Sequence, residues 1–190
     1  KIPYMLAFSL KSDYDEGNSY NWAQWKFFSA ELATGMYNRL SSVKPMLDKT
    51  YYAEELSGNI ALLTEMVENH PETTFKFFFP PYSMLWWDNI YRSGERDAYL
   101  YNEEQAIAAL LQYDNVELYY YQGEEEIITD LNLYMDMIHF SKVINQVICN
   151  KLTAGENRLT KENYQEYIQN MYELSERIVQ EYILEYYPDN

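Results

Sequence analysis

The apolar positions of this chain change period repeatedly, and the changes mark its elements. Residues 2–10 (IPYMLAFSL) form a short apolar run, the pattern of a strand or a buried entry segment. Residues 11–20 are polar, with Asp13, Asp15, Gly17 and Asn18, and read as a loop. Trp22, Trp25, Phe28, Leu32 and Met36 then fall at helical spacing and predict a helix over 22–40 with Asn21 as its cap. Gly35 weakens it slightly. A connection over 41–52 contains Pro45. Leu56, Ile60, Leu63 and Val67 give one face of a second helix over 53–69. His70-Pro71 closes it, because the residue before proline avoids helical backbone.

The run 73–79 (TTFKFFF) is the strongest strand signal, and its near-continuous apolar character predicts a strand covered on both faces. Pro80-Pro81 stops it, and 82–91 reads as a loop or short helix carrying Trp86, Trp87 and Tyr91. Asn102 to Gln105 resembles a capping box, opening a helix to about Tyr113. Asp114-Asn115 is a turn, 116–121 (VELYYY) the next strand, and 122–130 an acidic loop with Glu124, Glu125 and Glu126. Ser141 is placed to cap a helix through Leu152, and Thr160 a long one bearing Tyr164, Ile168, Met171, Leu174, Ile178 and Tyr182 on one side. Helices alternating with strands predict an α/β fold with a mainly parallel sheet between helix layers. No repeat or low-complexity linker divides the 190 residues, so one domain is expected.

Composition narrows the function classes. A formal charge of −16 disfavours nucleic acid and anionic lipid, since phosphate binding needs clustered Lys and Arg. Twenty-one tyrosines and four tryptophans can build both core and wet aromatic clefts, because tyrosine buries a ring and keeps a polar end. The single cysteine, Cys149, sits in a mostly apolar run and is expected to be a small buried hydrophobe. One thiol allows no internal disulfide. No run approaches a membrane span. The chain begins at Lys1 without an initiator methionine, which leads us to expect a leader, anchor or further segment upstream.

The candidate chemistry lies in 132–139 (NLYMDMIH). Asp136 stands three residues before His139, one of only two histidines. In a turn, that spacing brings a carboxylate oxygen to the ring's Nδ1 and leaves Nε2 to act as general base on a hydroxyl. Asp-x-x-His also arises by chance. His70 is better explained as a helix-end histidine, and two distant histidines make thin evidence for a metal, so no metal or cofactor is expected. The triple-glutamate run reads as a solvated loop. Adjacent tryptophans rarely both face inward, so at least one is expected at a surface or cleft, and Pro80, Tyr82, Trp86 and Trp87 are together expected to shape a substrate cleft where sugar rings could stack.

The run 73–87 (TTFKFFFPPYSMLWW), followed by 132–145 (NLYMDMIHFSKVIN), resembles the C-terminal half of a bacterial SGNH/GDSL-type hydrolase group, over roughly residues 50–155. The resemblance implies a three-layer flavodoxin-like fold, incomplete at its N-terminus, with helices on both sheet faces. It also implies that Asp136 and His139 are two members of a Ser-His-Asp triad, in an envelope-associated, extracytoplasmic esterase or acyltransferase acting on a glycan. An N-terminal anchor would supply any membrane association. The family's serine follows the first strand in a Gly-Asp-Ser-like block. Here only Gly17-Asn18-Ser19 comes near, and only after a polar stretch. Either the nucleophile lies upstream of this chain, or the chain is a divergent relative that has displaced or lost it. The alternative function is a non-catalytic glycan- or protein-binding module of an envelope complex.

Overall fold

The computed structural model describes residues 27–188. The apolar run 2–10, Ser19, Asn21, Trp22 and Trp25 lie outside them. Among the described residues are seven α-helices and a small mixed sheet of three strands in the order β1-β2-β3. The strands are β1 (Phe75–Phe79), β2 (Val116–Tyr120) and β3 (Arg158–Leu159). β1 and β2 run parallel, with Phe77 opposite Leu118, whereas β2 and β3 pair antiparallel, with Leu118 opposite Leu159. The expected α/β class holds, but the sheet is mixed rather than mainly parallel.

The central strand is β2. Its two faces enter different clusters. Leu118 and Tyr120 join a core with Leu85, Trp87, Ile107, Met171 and Ile178, while Tyr119, with the following Tyr121, packs on Ile144 and Ile148. Alternation of side chains along a strand produces this division. In β1 the alternation leaves Lys76 and Phe78 exposed, so the expected double cover fails there. Lys76 meets Glu117 of the neighbouring strand at 3.0 Å, which suits a charged position near water.

The helices follow the apolar periodicity with shifted ends. Within the described part of the expected helix 22–40, helix α1 spans Ala30–Met36, and 27–29 and 37–40 lie outside it. Ser29 caps it, its hydroxyl accepting from Leu32 N at 3.1 Å. Helix α2 (Ala53–Glu68) matches its expectation and ends at Asn69. Helix α3 (Met84–Arg92) follows Ser83, and α4 (Arg96–Leu110) begins six residues before Asn102. Asn102 and Glu103 are therefore mid-helix, not a capping box. Between the two helices, Gly94 adopts a φ of +80°, and a Cβ there would stand 2.2 Å from the Pro45 carbonyl oxygen. Glycine alone allows this close approach. It is fixed by Leu47 N donating to the Gly94 carbonyl at 2.8 Å.

The acidic loop is in fact structured. Helix α5 (Glu125–Ile128) carries Glu125, which pairs with Arg177 at 2.7 Å, and Glu124 pairs with Lys151 at 2.9 Å. Both cations come from distant helices, which the local sequence could not reveal. Helix α6 (Lys142–Ala154) follows Ser141 and ends on left-handed Gly155, and α7 (Tyr164–Gln180) packs across α3 and α4. Cys149 is exposed, because the buried face of α6 is set by Ile144 and Ile148 and turns Cys149 outward. No described helix is long and apolar enough to cross a membrane.

Candidate functional site

The Asp136–His139 turn is the tip of a very short hairpin. Tyr134 and Phe140 form an antiparallel bridge, and Met135 N donates to the His139 carbonyl at 3.0 Å. Within that closed loop Asp136 folds back on the chain. Its Oδ1 accepts from Ile138 N at 2.9 Å and His139 N at 2.8 Å, the local bonding that aspartate favours in turns. Its Oδ2 then lies 2.7 Å from His139 Nδ1. The ring half-faces solvent at 49 % side-chain exposure, against 24 % for the carboxylate. Partial burial works to raise the Asp136 pKa, but the two backbone N–H groups and the imidazole outweigh it, so the group sits below the usual carboxylate range. An imidazole held at Nδ1 by a carboxylate has a defined tautomer and orientation, and a proton gained at Nε2 is stabilised by the charge behind it.

The segment after β1 holds this hairpin in place. Tyr134 donates its hydroxyl to the Pro81 carbonyl at 2.7 Å. Ser83 sends both its N–H (3.0 Å) and its hydroxyl (2.8 Å) to the Met137 carbonyl. Ser83 is fully buried and committed to that bond, so it serves as a strut and not as a nucleophile. Ser141 is likewise buried, and among the described residues its hydroxyl neither caps α6 nor finds another partner.

The four residues expected to form a cleft separate. Pro80 and Tyr82 line an open groove of about 470 Å³ at the carboxyl end of β1, together with Tyr52, Tyr99, Glu103 and Gln122. Trp86 lies behind Tyr82, ring centroids 5.2 Å apart, and is not part of the lining. Trp87 is fully buried in the core, where its ring meets the edge of Tyr99 at 5.8 Å. The strand end delivers Pro80 and Tyr82 to the groove, but α3 then turns the next residues toward α7. His70 stands apart on the surface, 3.4 Å from Glu72.

The groove contains a polar network that local motifs did not flag. Glu103 is only 5 % exposed. Its Oε2 accepts from the Tyr120 hydroxyl at 3.0 Å, and that hydroxyl also lies 3.1 Å from Gln122 Oε1. Gln122 Nε2 donates to the Tyr99 hydroxyl at 3.1 Å. Burial pushes the Glu103 carboxyl up to about 7 from its ordinary 4.5, against the downward pull of Tyr120, Tyr99 and Gln122. Burial, and then the charge of Glu103, drive Tyr99 and Tyr120 in the same direction, so both phenols stay neutral. A signal was present in the sequence. Glu103 lies on the stripe Leu100, Ile107, Leu110, at the spacing of a buried helix face.

Fold and site together define a mixed α/β protein with a carboxylate-oriented imidazole on a hairpin beside its sheet. No family model, curated protein or solved structure matches the chain. Among the described residues, no group of three or more His, Cys, Asp or Glu side chains is arranged to hold a metal ion.

Proposed function

We propose that this chain supplies the His–Asp half of a Ser-His-Asp triad in an SGNH-type serine esterase or acyltransferase, acting on acyl esters of a cell-envelope glycan. In this reading the sheet belongs to a three-layer flavodoxin-like domain of which residues 1–190 are the C-terminal portion. The observation that carries it is the 2.7 Å contact between Asp136 Oδ2 and His139 Nδ1, in a turn whose backbone is itself tied to the carboxylate. His139 would take the proton of the nucleophilic hydroxyl and return it to the leaving group, and Asp136 would stabilise the imidazolium between those events. The serine has to reach Nε2 within hydrogen-bond distance. Ser19 is the candidate this sequence offers, and an upstream Gly-Asp-Ser-like block is the other. The extracytoplasmic setting and an N-terminal anchor belong to the same reading.

Hydrolysis of an aryl acetate by the protein at its natural length tests the proposal. His139→Ala and Asp136→Asn are each expected to lower kcat by roughly 10³-fold or more. Turnover indifferent to both variants overturns it, and Ser19→Ala separates the two sources of the serine. The tyrosine-lined groove favours a second reading, a non-catalytic glycan-binding module. There, binding of an envelope glycan is lost in Tyr82→Ala and unchanged in His139→Ala.

A further inference from the structure

Among the described residues, two side-chain oxygens of the groove's lining make no hydrogen bond of their own, although Tyr99 and Gln122 stand close enough to Glu103 to favour its charged form. They are Glu103 Oε1 and, on the adjacent residue of α4, Asn102 Oδ1, both in buried positions. An acceptor removed from water without a full complement of donors is costly, so the pair asks for a ligand that donates. The rest of the lining narrows which one. Glu55 adds a second carboxylate, and among the described residues no Lys, Arg or His lines the groove. Tyr52, Tyr82 and Tyr99 bring rings to it, and ring faces attract cations. An anion would meet carboxylates with no cation to offset them. A divalent ion would find too few hard ligands, since no cluster of three acidic or imidazole groups is present among the described residues. A neutral polyol could satisfy the acceptors but would leave the carboxylate charge unanswered.

We propose that this groove is a binding subsite for a primary ammonium group, held by Glu103 and Asn102 at its base and flanked by the rings of Tyr82 and Tyr99. An ammonium carries three donors and a charge, so it can pair with the Glu103 carboxylate and keep donors for a further acceptor of the lining. The subsite stands on the groove alone and holds whether or not His139 is catalytic. Its position beside the hairpin is set by chain continuity. Tyr82 is a wall of the groove, and Ser83 is the strut that holds the Met137 carbonyl.

Binding depends on pH through Glu103, which must be ionised to pair with the cation. The groups facing it are Tyr99 from its own helix, Tyr120 and Gln122 from the β2 side, Tyr82 after β1, and Glu55 from α2. Tyr82, Tyr99 and Tyr120 all have raised pKa values and stay neutral in the window concerned.

The test is a titration of the chain with n-propylammonium chloride at constant ionic strength, followed by backbone amide NMR shifts, with 1-propanol and glycerol as neutral comparators. The expected result is saturable shifts centred on residues 99–103 and 122. The affinity should rise about tenfold from pH 6 to pH 8, as the Glu103 carboxyl ionises. Glu103→Gln is expected to weaken binding at least tenfold, and Asn102→Ala severalfold. Glu126→Gln, which removes an exposed carboxylate elsewhere, is expected to change nothing. Absence of saturable binding at the groove overturns the proposal. So does equal binding of either neutral comparator, or an equal loss in Glu126→Gln, which would mark general counter-ion attraction to an acidic protein.

Discussion

Replacing Glu103 with glutamine tests the physical state of the groove without any ligand. The carboxyl titrates at about 7 in the fold, against an ordinary 4.5. As pH rises above about 4.5 the unfolded chain releases the proton while the folded chain retains it. Folding stability therefore falls through that window and levels off above 7. The full penalty at pH 8 is about 3 kcal/mol, and about 2 kcal/mol of it develops between pH 5.5 and 8. Glutamine has the same shape and no charge to desolvate. It also introduces an N–H₂ group where Oε1 stood, which costs about 1 kcal/mol if unpartnered, but that cost is the same at every pH. The quantity to measure is thus the pH dependence of the difference between variant and wild type.

Urea unfolding followed by tryptophan fluorescence supplies it. The titration of the remaining acidic groups is common to both proteins and cancels. Relative to wild type, Glu103→Gln is expected to gain about 2 kcal/mol between pH 5.5 and 8, with unchanged dependence on urea. A difference that stays flat with pH would refute the reasoning, because it would mean that Glu103 ionises as freely in the fold as outside it.

Two further outcomes probe the frame around the site. Gly94→Ala is expected to cost at least ~2 kcal/mol, since it joins a left-handed backbone penalty to a contact with the Pro45 carbonyl that the backbone must shift to relieve; thermal unfolding reads it directly. Trp87→Ala is expected to cost about 3–5 kcal/mol and Trp86→Ala at least ~1 kcal/mol less, because only Trp87 is wholly enclosed; urea midpoints rank the pair.

How far the sequence speaks for itself depends on the range of the interactions involved. The Asp136–His139 pair is legible because every bond that forms it lies within four residues. Helices α2, α6 and α7 are legible because their apolar stripes are long enough to impose a period. The run 73–79 announced a strand correctly but not its place, since the sequence of one strand does not say which neighbours cover it. Helix α4 starts earlier than its sequence signals, because Asn102-Glu-Glu-Gln105 imitates a cap and no side chain caps the true beginning at Arg96. The acidic run at 124–126 looked solvated because its partners, Lys151 and Arg177, are 27 and 52 residues away. The average apolarity around Cys149 points inward, but the phase of the helix decides and turns it out.

The groove failed to appear in the sequence for a related reason, and the reason bears on how the two sites relate. Glu103 sits at a position where the helical stripe calls for an apolar residue, and it is tolerated because Tyr120 reaches it from β2. A carboxyl kept there at a cost in stability is the kind of local inconsistency that functional sites retain. Pro80–Ser83 connects this groove to the hairpin: Tyr82 faces the groove, Pro81 accepts from Tyr134, and Ser83 holds Met137.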